Sequence, residues 1–336
     1  MGLKNSLFCV LLFTLPLLCF SQETDEEIIY KEETEYKVSY PNRITARAYY
    51  VNTSNSLILK DRNSDAFFNL EPNKQNRIGA SISFRGITAS YSFAPDFLAK
   101  NKDNKDSKLF NLNLRTFFGK HFMQTFDLFN EKGFYLSDDN VSVYLPKTRN
   151  FKIGGATSYI WNENFSFRAI TSQDEKQLKS TGSFIPRIIY YYSKFNFRTD
   201  LVNPPIDDDY RSFDIAFAPS YYYNFVPTKN ILLSAGVSAG IGLNYSKYDG
   251  EDSLTTLLTE LNFRASATYD IDNLYIGTHY SYLILNHNAD RSTRVNDNIP
   301  YFQIFVGYRF RAPKSLVAFA DKMQNKLNEE IEKIKN

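Results

Sequence analysis

The sequence predicts an all-β chain: a transmembrane antiparallel up-and-down β-barrel of about fourteen strands, with twelve as the alternative count. Three observations lead there. Apolar residues recur at every second position from Arg43 to Arg311. The connections between these runs alternate between tight turns and long polar loops. No segment after the N-terminal leader reaches the roughly 18 consecutive apolar residues of a transmembrane helix, so membrane residence has to come from strands.

The N-terminus reads as a cleaved signal peptide over residues 1–21. Lys4 supplies the positive end, Leu7–Phe20 the apolar stretch, and Cys19-Phe20-Ser21 the cleavage region before Gln22. Lipid attachment at Cys19 is the competing reading, but Leu18 is bulky where a small residue is expected. The only cysteines, Cys9 and Cys19, leave with the signal, so the mature chain has no thiol chemistry. Residues 22–42 are acidic and aperiodic and read as a flexible periplasmic leader. The barrel is expected over 43–311. Residues 312–336 place Leu316, Phe319, Ala320, Met323, Leu327, Ile331 and Ile334 near helical spacing with Lys and Glu opposite, the pattern of an amphipathic helix on the periplasmic side.

Within 43–311 the alternation is explicit. In "RSFDIAFAPSYYYNF", Phe213, Ile215, Phe217, Tyr221, Tyr223 and Phe225 share one face, with Ser212, Asp214, Ser220 and Asn224 opposite. "FNLNLRTFF" sets Phe110, Leu112 and Leu114 against Asn111, Asn113 and Arg115. "ILLSAGVSAGIGLNYS" runs an unbroken apolar face from Ile231 to Tyr245, with Ser and Gly between. Tight turns are expected at Gly86, Gly119-Lys120, Trp161–Asn164, Ser193-Lys194, Pro227–Lys229 and Asp270–Asn273. Long loops are expected near 53–75, 96–107, 130–150, 173–182, 202–210, 247–255 and 287–300. A soluble sandwich also alternates, but its strands average about 5–6 residues. Several runs here span about 10–15, enough for the 9–11 of a tilted membrane strand. No fully apolar central strand and no helix is available to cover the oily side, and lipid would cover it. Trp161, Tyr159, Phe225, Tyr245, Tyr269, Tyr275, Tyr308 and Phe310 fall near strand ends, as interface aromatics do.

"LEPNKQNRIGASISFRGITASYSFAPDF" (70–97), "LFNLNLRTFFGKHFMQTFDLFNEKGFYL" (109–136), "FSFRAI…QLKSTGSF" (165–184) and "SYYYNFVPTKNILLSAGVSAGIG" (220–242) resemble an outer-membrane barrel family of unknown function typical of Bacteroidetes. The Pro-Asn before the second strand and the Gly-Phe-Tyr after the aromatic hairpin carry the resemblance, which spans most of 43–311. It implies a barrel at the cell surface and brings no substrate or catalytic residue. The terminal "VGYRF" also looks like the aromatic-ended last strand through which the barrel-insertion machinery recognises clients; the following helix makes that signal internal.

The alternation aims Arg77, Arg85, Arg115, Arg168, Arg187, Arg198, Arg264 and Arg309 inward, with Asp127, Asp200, Asp214 and Glu260, because charges on the lipid face are costly. Two readings follow: an Arg-rich lumen favouring anionic solutes, or a ladder of Arg–carboxylate pairs that stiffens the wall. Gly236, Gly240 and Gly242 either leave open space or make room for a long neighbour. His279 and Ser281 share a face, but no G-x-S-x-G motif is present, and the chain is expected not to be an enzyme. His121 at a turn and His287 in a loop make no metal site with His279. "DIDN" (270–273) and "IDDDY" (206–210) read as solvated turns rather than calcium loops. Neither metal nor other cofactor is implied.

A formal net charge of +2 gives no field for nucleic acid. The expected location is the outer membrane, with membrane lipid as the surrounding partner and a possible periplasmic partner at the C-terminal helix. The leading functional expectation is a passive or transport-related conduit for small solutes with weak anion preference. The alternative is a non-conducting structural or interaction barrel acting through its loops or helix. A lipid-modifying enzyme is the remote third.

Overall fold

The structure is a computed structural model that describes residues 30–53, 56–61, 67–102, 106–137, 142–200, 205–250, 252–288 and 293–335. The signal peptide and residues 22–29 of the leader lie outside the described residues. The strands are β1 (Glu32–Glu33), β2 (Lys37–Ser39), β3 (Arg43–Thr53), β4 (Ser56–Asp61), β5 (Phe67–Pro72), β6 (Asn76–Phe84), β7 (Ile87–Phe93), β8 (Lys108–Phe118), β9 (Phe122–Ser137) and β10 (Ser142–Tyr159). A short helix α1 (Arg168–Thr171) and β11 (Glu175–Gln177) follow. Then come β12 (Thr181–Ile185), β13 (Arg187–Thr199), β14 (Ile206–Phe217), β15 (Ser220–Thr228), β16 (Ile231–Tyr248), β17 (Leu254–Ile271), β18 (Leu274–Asn288), β19 (Thr293–Arg311) and helix α2 (Lys314–Lys335).

The large sheet is a closed antiparallel ring, running β10-β13-β14-β16-β17-β18-β19-β3-β6-β7-β8-β9 and back to β10. Those are 12 wall positions. Two of them are compound. β12 and β13 are separated by Pro186, and β14 and β15 by Ala218-Pro219, where a missing N–H interrupts the ladder. The ring therefore realises the lower of the two strand counts. The expected turn at Ser193-Lys194 is not there; β13 runs through it, because outward-facing Lys194 pairs with Asp209 on β14 at 2.9 Å and so stays in a strand. The expected strand at 165–172 is absent too. Ser166 Oγ accepts a bond from the Ala169 N–H and helps to start α1 in its place.

Tight turns join the wall at one rim. Phe84 pairs Ile87 across Arg85-Gly86, both at positive φ, as a primed hairpin turn requires. Ile271 pairs Leu274 across Asp272-Asn273, and Thr228 pairs Ile231. At the other rim the strands overrun the bilayer. β10, β16 and β17 have 18 residues each and β19 has 19, against the roughly 9–11 a tilted spanning strand needs. Strands β6, β7 and β8 are shorter, and a hairpin from the expected 53–75 loop takes their place above: β4 pairs β19 and β5 pairs β9. The expected loops at 130–150 and 287–300 are likewise mostly strand.

The wall is two-faced. Ile241 is 59% exposed outward while Asn244 on the same strand is 0% exposed inward. The first described part of the leader is not aperiodic. β2 pairs with β1 and β11 in a separate small sheet. Helix α2 is amphipathic, with Phe319 and Met323 exposed. Neither helix of the described residues is long and apolar enough to cross a membrane.

Candidate functional site

The lumen holds the chemistry, and it has two parts. Residues 160–178 lie across the short-turn mouth. They touch the inner wall at points spread around the ring. Phe165, Phe167 and Ile170 pack with Met123, Ile185 and Tyr222 in a buried apolar cluster. Asn224 on β15 donates to the Ser166 carbonyl and to Gln177 Oε1, each at 3.0 Å. Gln173 donates to the Ile170 carbonyl. Arg168 lies over the Phe117 ring of β8 and bonds Asp174 and Glu175. Burial works against its charge, but the two carboxylates outweigh that and hold its pKa above the ordinary arginine value.

Arg309 on β19 fastens this segment. Its side chain is fully buried. Nε donates to the Gln173 carbonyl at 2.5 Å, Nη1 to the Asp272 carbonyl at 3.0 Å, and Nη2 to Asp270 Oδ2 at 2.5 Å. The Tyr40 and Tyr275 rings flank the guanidinium at 4.7 and 4.8 Å. Burial pushes the Tyr40 hydroxyl up from its ordinary pKa. A buried guanidinium with its donors matched to two carbonyls and a carboxylate, between two rings, is a low-strain use of arginine's planar fork.

Further along the bore, inward side chains such as Arg115, Lys152, Arg264, His279 and Ser281 are half-buried, unlike those at the mouth. Arg187 donates to Glu260 at 2.7 Å and to Ser238 at 2.9 Å. Asp127 accepts from Tyr191 at 2.6 Å and from Asn113. Arg47 bonds Ser81 and lies over the Phe305 ring at 5.0 Å, with His279 stacked on the same ring. The Nε atoms of Arg77, Arg115, Arg187 and Arg264 have no hydrogen-bond partner among the described residues. The inward glycines seat rings from the strand beside them. A Cβ on Gly236 would strike Tyr222, on Gly277 Phe305, on Gly307 Tyr275, and on Gly79 Tyr49.

Several expected positions differ. Arg85 sits in a tight turn and bonds Asn42. Arg168 belongs to α1 and not to a wall strand. Arg198 and Asp200 are exposed at the long-loop rim, paired with Asp207 and Lys147. Asp214 faces inward and accepts from Asn244 at 2.5 Å. Arg77, Arg115, Arg187, Arg264, Arg309, Asp127 and Glu260 lie on inward positions. Tyr275 is not an interface aromatic: it points inward and its hydroxyl donates to the Ala46 carbonyl. Its neighbours Leu274 and Ile276 are the outward residues there. Trp161, Phe225, Tyr269, Tyr308 and Phe310 are exposed toward the short-turn rim and Tyr245 toward the other, while Tyr159 is half-buried.

His121 contacts the Ile160 carbonyl and Glu163. The Lys120 ammonium bonded to Glu163 holds that carboxyl below the usual range. His287 is on β18, and its side chain is outside the described residues. Among the described residues no group of His, Cys, Asp or Glu is gathered as a metal site. Asp207 and Asp209 lie on β14 and pair with Arg198 and Lys194. Sequence reasoning missed Arg47, Glu131, Lys152, Tyr191, Tyr222 and Gln173. The parity that placed Arg115 inward also places Arg47, Glu131 and Tyr191 there; for Gln173 no periodic signal exists.

A closed ring of alternating polar-in and apolar-out strands, with one rim of tight turns and one of long extensions, is an outer-membrane β-barrel. The sequence matches the Domain of unknown function (DUF4421) over residues 31–310, and the chain belongs to that family. No curated protein matches it. Similar solved structures are outer-membrane β-barrels. The outer membrane protease OmpT from Escherichia coli has 5% identity and TM-score 0.39, covering 83% of this chain and 99% of that one. The beta domain of the Bordetella autotransporter BrkA has 10% identity and TM-score 0.42, covering 80% and 100%. An outer membrane channel from Pseudomonas putida has 9% identity and TM-score 0.37, covering 86% and 100%. The protease corrects one expectation. An outer membrane protease stands beside an outer membrane channel among the similar structures, so the expectation that this chain is no enzyme is not upheld, and no enzyme role is established. At these identities and scores no activity passes to this chain.

Proposed function

We propose that the protein is a gated outer-membrane conduit for small solutes, with a weak preference for anions, held shut at rest by residues 160–178. The observation that carries this reading is the pairing of a closed mouth with an arginine-rich middle in which Arg115, Arg264 and Lys152 are half-buried while Arg47, Arg77 and Arg187 are buried. Arg47, Arg77, Arg115, Arg187, Arg264 and Lys152 face the bore with Asp127, Glu131, Asp214 and Glu260. A barrel of intermediate strand number is wide enough for a narrow path if its mouth is cleared. The buried apolar cluster around Phe167 favours a second reading, in which the segment is a permanent plug and the barrel works through its long-loop rim or α2, where a periplasmic partner would bind.

Planar-bilayer recording separates these. Wild-type protein is expected to be silent. A variant in which residues 163–179 are replaced by a short turn, still migrating as a heat-modifiable folded barrel, is expected to show discrete anion-selective steps. Large steps from the wild type would overturn the gate. Silence from a folded deletion variant and from Arg309→Gln would overturn the conduit and leave the second reading.

A further inference from the structure

The outer face of β8, β9 and β10 carries a row of cations where the wall leaves the membrane toward the long-loop rim. Lys108 and Arg149 both sit opposite Lys132, across the β8–β9 and β9–β10 ladders. The alternation of each strand turns these three outward with Phe110 and Phe151, which stand one outward position nearer the membrane centre. Lys108 and Arg149 are exposed and Lys132 is half-buried. Glu131, next to Lys132, turns the other way and is buried. Together with Lys74 and Asn130 the row lines a cavity of about 480 Å³. Lys74 donates to the Ala94 carbonyl at 2.9 Å and to Asp96 at 2.6 Å. No described carboxylate pairs with Lys108, Lys132 or Arg149.

Like charges directly opposite each other across a ladder repel and destabilise the sheet. The neighbouring strands neutralise the same clash: Lys194 stands opposite Arg211, and Asp209 contacts both. On the outer face of β13 and β14, Lys194 meets Asp209 at 2.9 Å, Arg198 meets Asp207 at 2.6 Å, and Arg211 lies 3.8 Å from Asp209. Asn196, between Lys194 and Arg198, is opposite Arg149, so the paired and unpaired belts stand at the same height. The unpaired belt is complementary to an anion that sits at the membrane surface above an apolar wall.

We propose that Lys108, Lys132 and Arg149 bind the phosphate of an outer-leaflet lipid headgroup, with its acyl chains against Phe110, Leu112, Leu128 and Phe151. Charge-assisted bonds from three donors at the edge of a low-dielectric region hold a phosphate oxygen well. The site rests on the placement of the barrel in the membrane and is independent of whether the barrel conducts.

The test uses full-length protein in mixed detergent micelles, with binding read by native mass spectrometry. The probes are phosphatidic acid, phosphatidylcholine and inorganic phosphate. Phosphatidic acid is expected to be retained over phosphatidylcholine. Combined Lys108→Gln, Lys132→Gln and Arg149→Gln is expected to lose on the order of tenfold or more of that retention. Lys194→Gln with Arg198→Gln is expected to lose little, and millimolar phosphate is expected not to displace the lipid. Each variant is first checked for heat-modifiable migration; if the triple variant fails to fold, Lys132→Gln alone, which removes the central cation, is read in the same way. Unchanged retention in the row variant, equal loss in the paired-belt variant, or displacement by phosphate alone would each overturn the assignment, the last by showing a site for free anion.

Discussion

Arg309 and Arg115 are both inward arginines on wall strands, yet they meet opposite surroundings. Arg309 is enclosed at the mouth, with each nitrogen on an acceptor and an aromatic ring on either side. Arg115 is half-buried in the middle of the bore, with an unpartnered Nε and with Arg264 and Arg47 among its neighbours. The difference teaches that inward polarity has two uses in one barrel. At the mouth, charge fixes a folded segment. In the middle, charge is left partly uncompensated.

The largest test of this contrast is a matched pair of substitutions. Arg309→Gln strips Asp270 of its main partner, leaving Lys176 at 3.3 Å, and is expected to destabilise the folded barrel by about 3–5 kcal/mol. Arg115→Gln is expected to shift stability by no more than about 1 kcal/mol in either direction, because it removes repulsion along with attraction. Denaturant titration of heat-modifiable migration reads both; equal losses would erase the distinction. A smaller effect is expected from Gly236→Ala. The added methyl meets the Tyr222 ring, which also packs on Phe167, and overpacking of this kind costs about 1–3 kcal/mol. Adding Tyr222→Leu should restore part of the loss, whereas no restoration would show that the ring is not the obstacle.

The smallest effect belongs to the long-loop rim. Glu71 accepts from Lys100 at 2.8 Å, and that bond holds its carboxyl below the ordinary Glu value of 4.5. A depressed folded pKa means the contribution is complete above the unfolded value and fades as pH falls through the folded one. Proteolysis of the 94–102 connection should therefore stay constant from neutral pH down to about the ordinary Glu value of 4.5 and rise below it. The exposed geometry limits the effect to about 1 kcal/mol or less. A rise in cleavage that begins near neutral pH would implicate another group.

Much of the wall was legible because a closed sheet in lipid imposes a strict period of two, and Ile241 and Asn244 each obey it. The mouth was not. Phe165 and Phe167 alternate with Ser166 and Arg168 just as strand residues do, and the helix there depends on bonds such as that from the Ala169 N–H to the Ser166 hydroxyl, which the alternation does not reveal. Ser193-Lys194 has turn composition, and its strand state depends on Asp209, a partner invisible to local pattern. Tyr275 shows the limit of composition: an aromatic near a strand end reads as an interface residue until its parity beside Leu274 and Ile276 is applied. The Ser and Gly face of "ILLSAGVSAGIGLNYS" resolves in the same way. Gly236 seats Tyr222, so at that level the missing side chain is filled from the next strand.

The hairpin of β4 and β5 has a consequence for how the molecule is made. The ring closes where β3 meets β19, and β4 joins β19 a second time above that seam, with Ser56 opposite Asn298 and Asp61 opposite Thr293. The last strand must therefore be found twice by the N-terminal part of the chain, once by β3 and once by β4. Pairings so distant along the chain form late, and until β19 arrives two long sheet edges stay open to wrong partners. Once made, the double stitch means that parting the seam requires two ladders to fail together, so the wall is least able to open sideways at the one place where it was last to close.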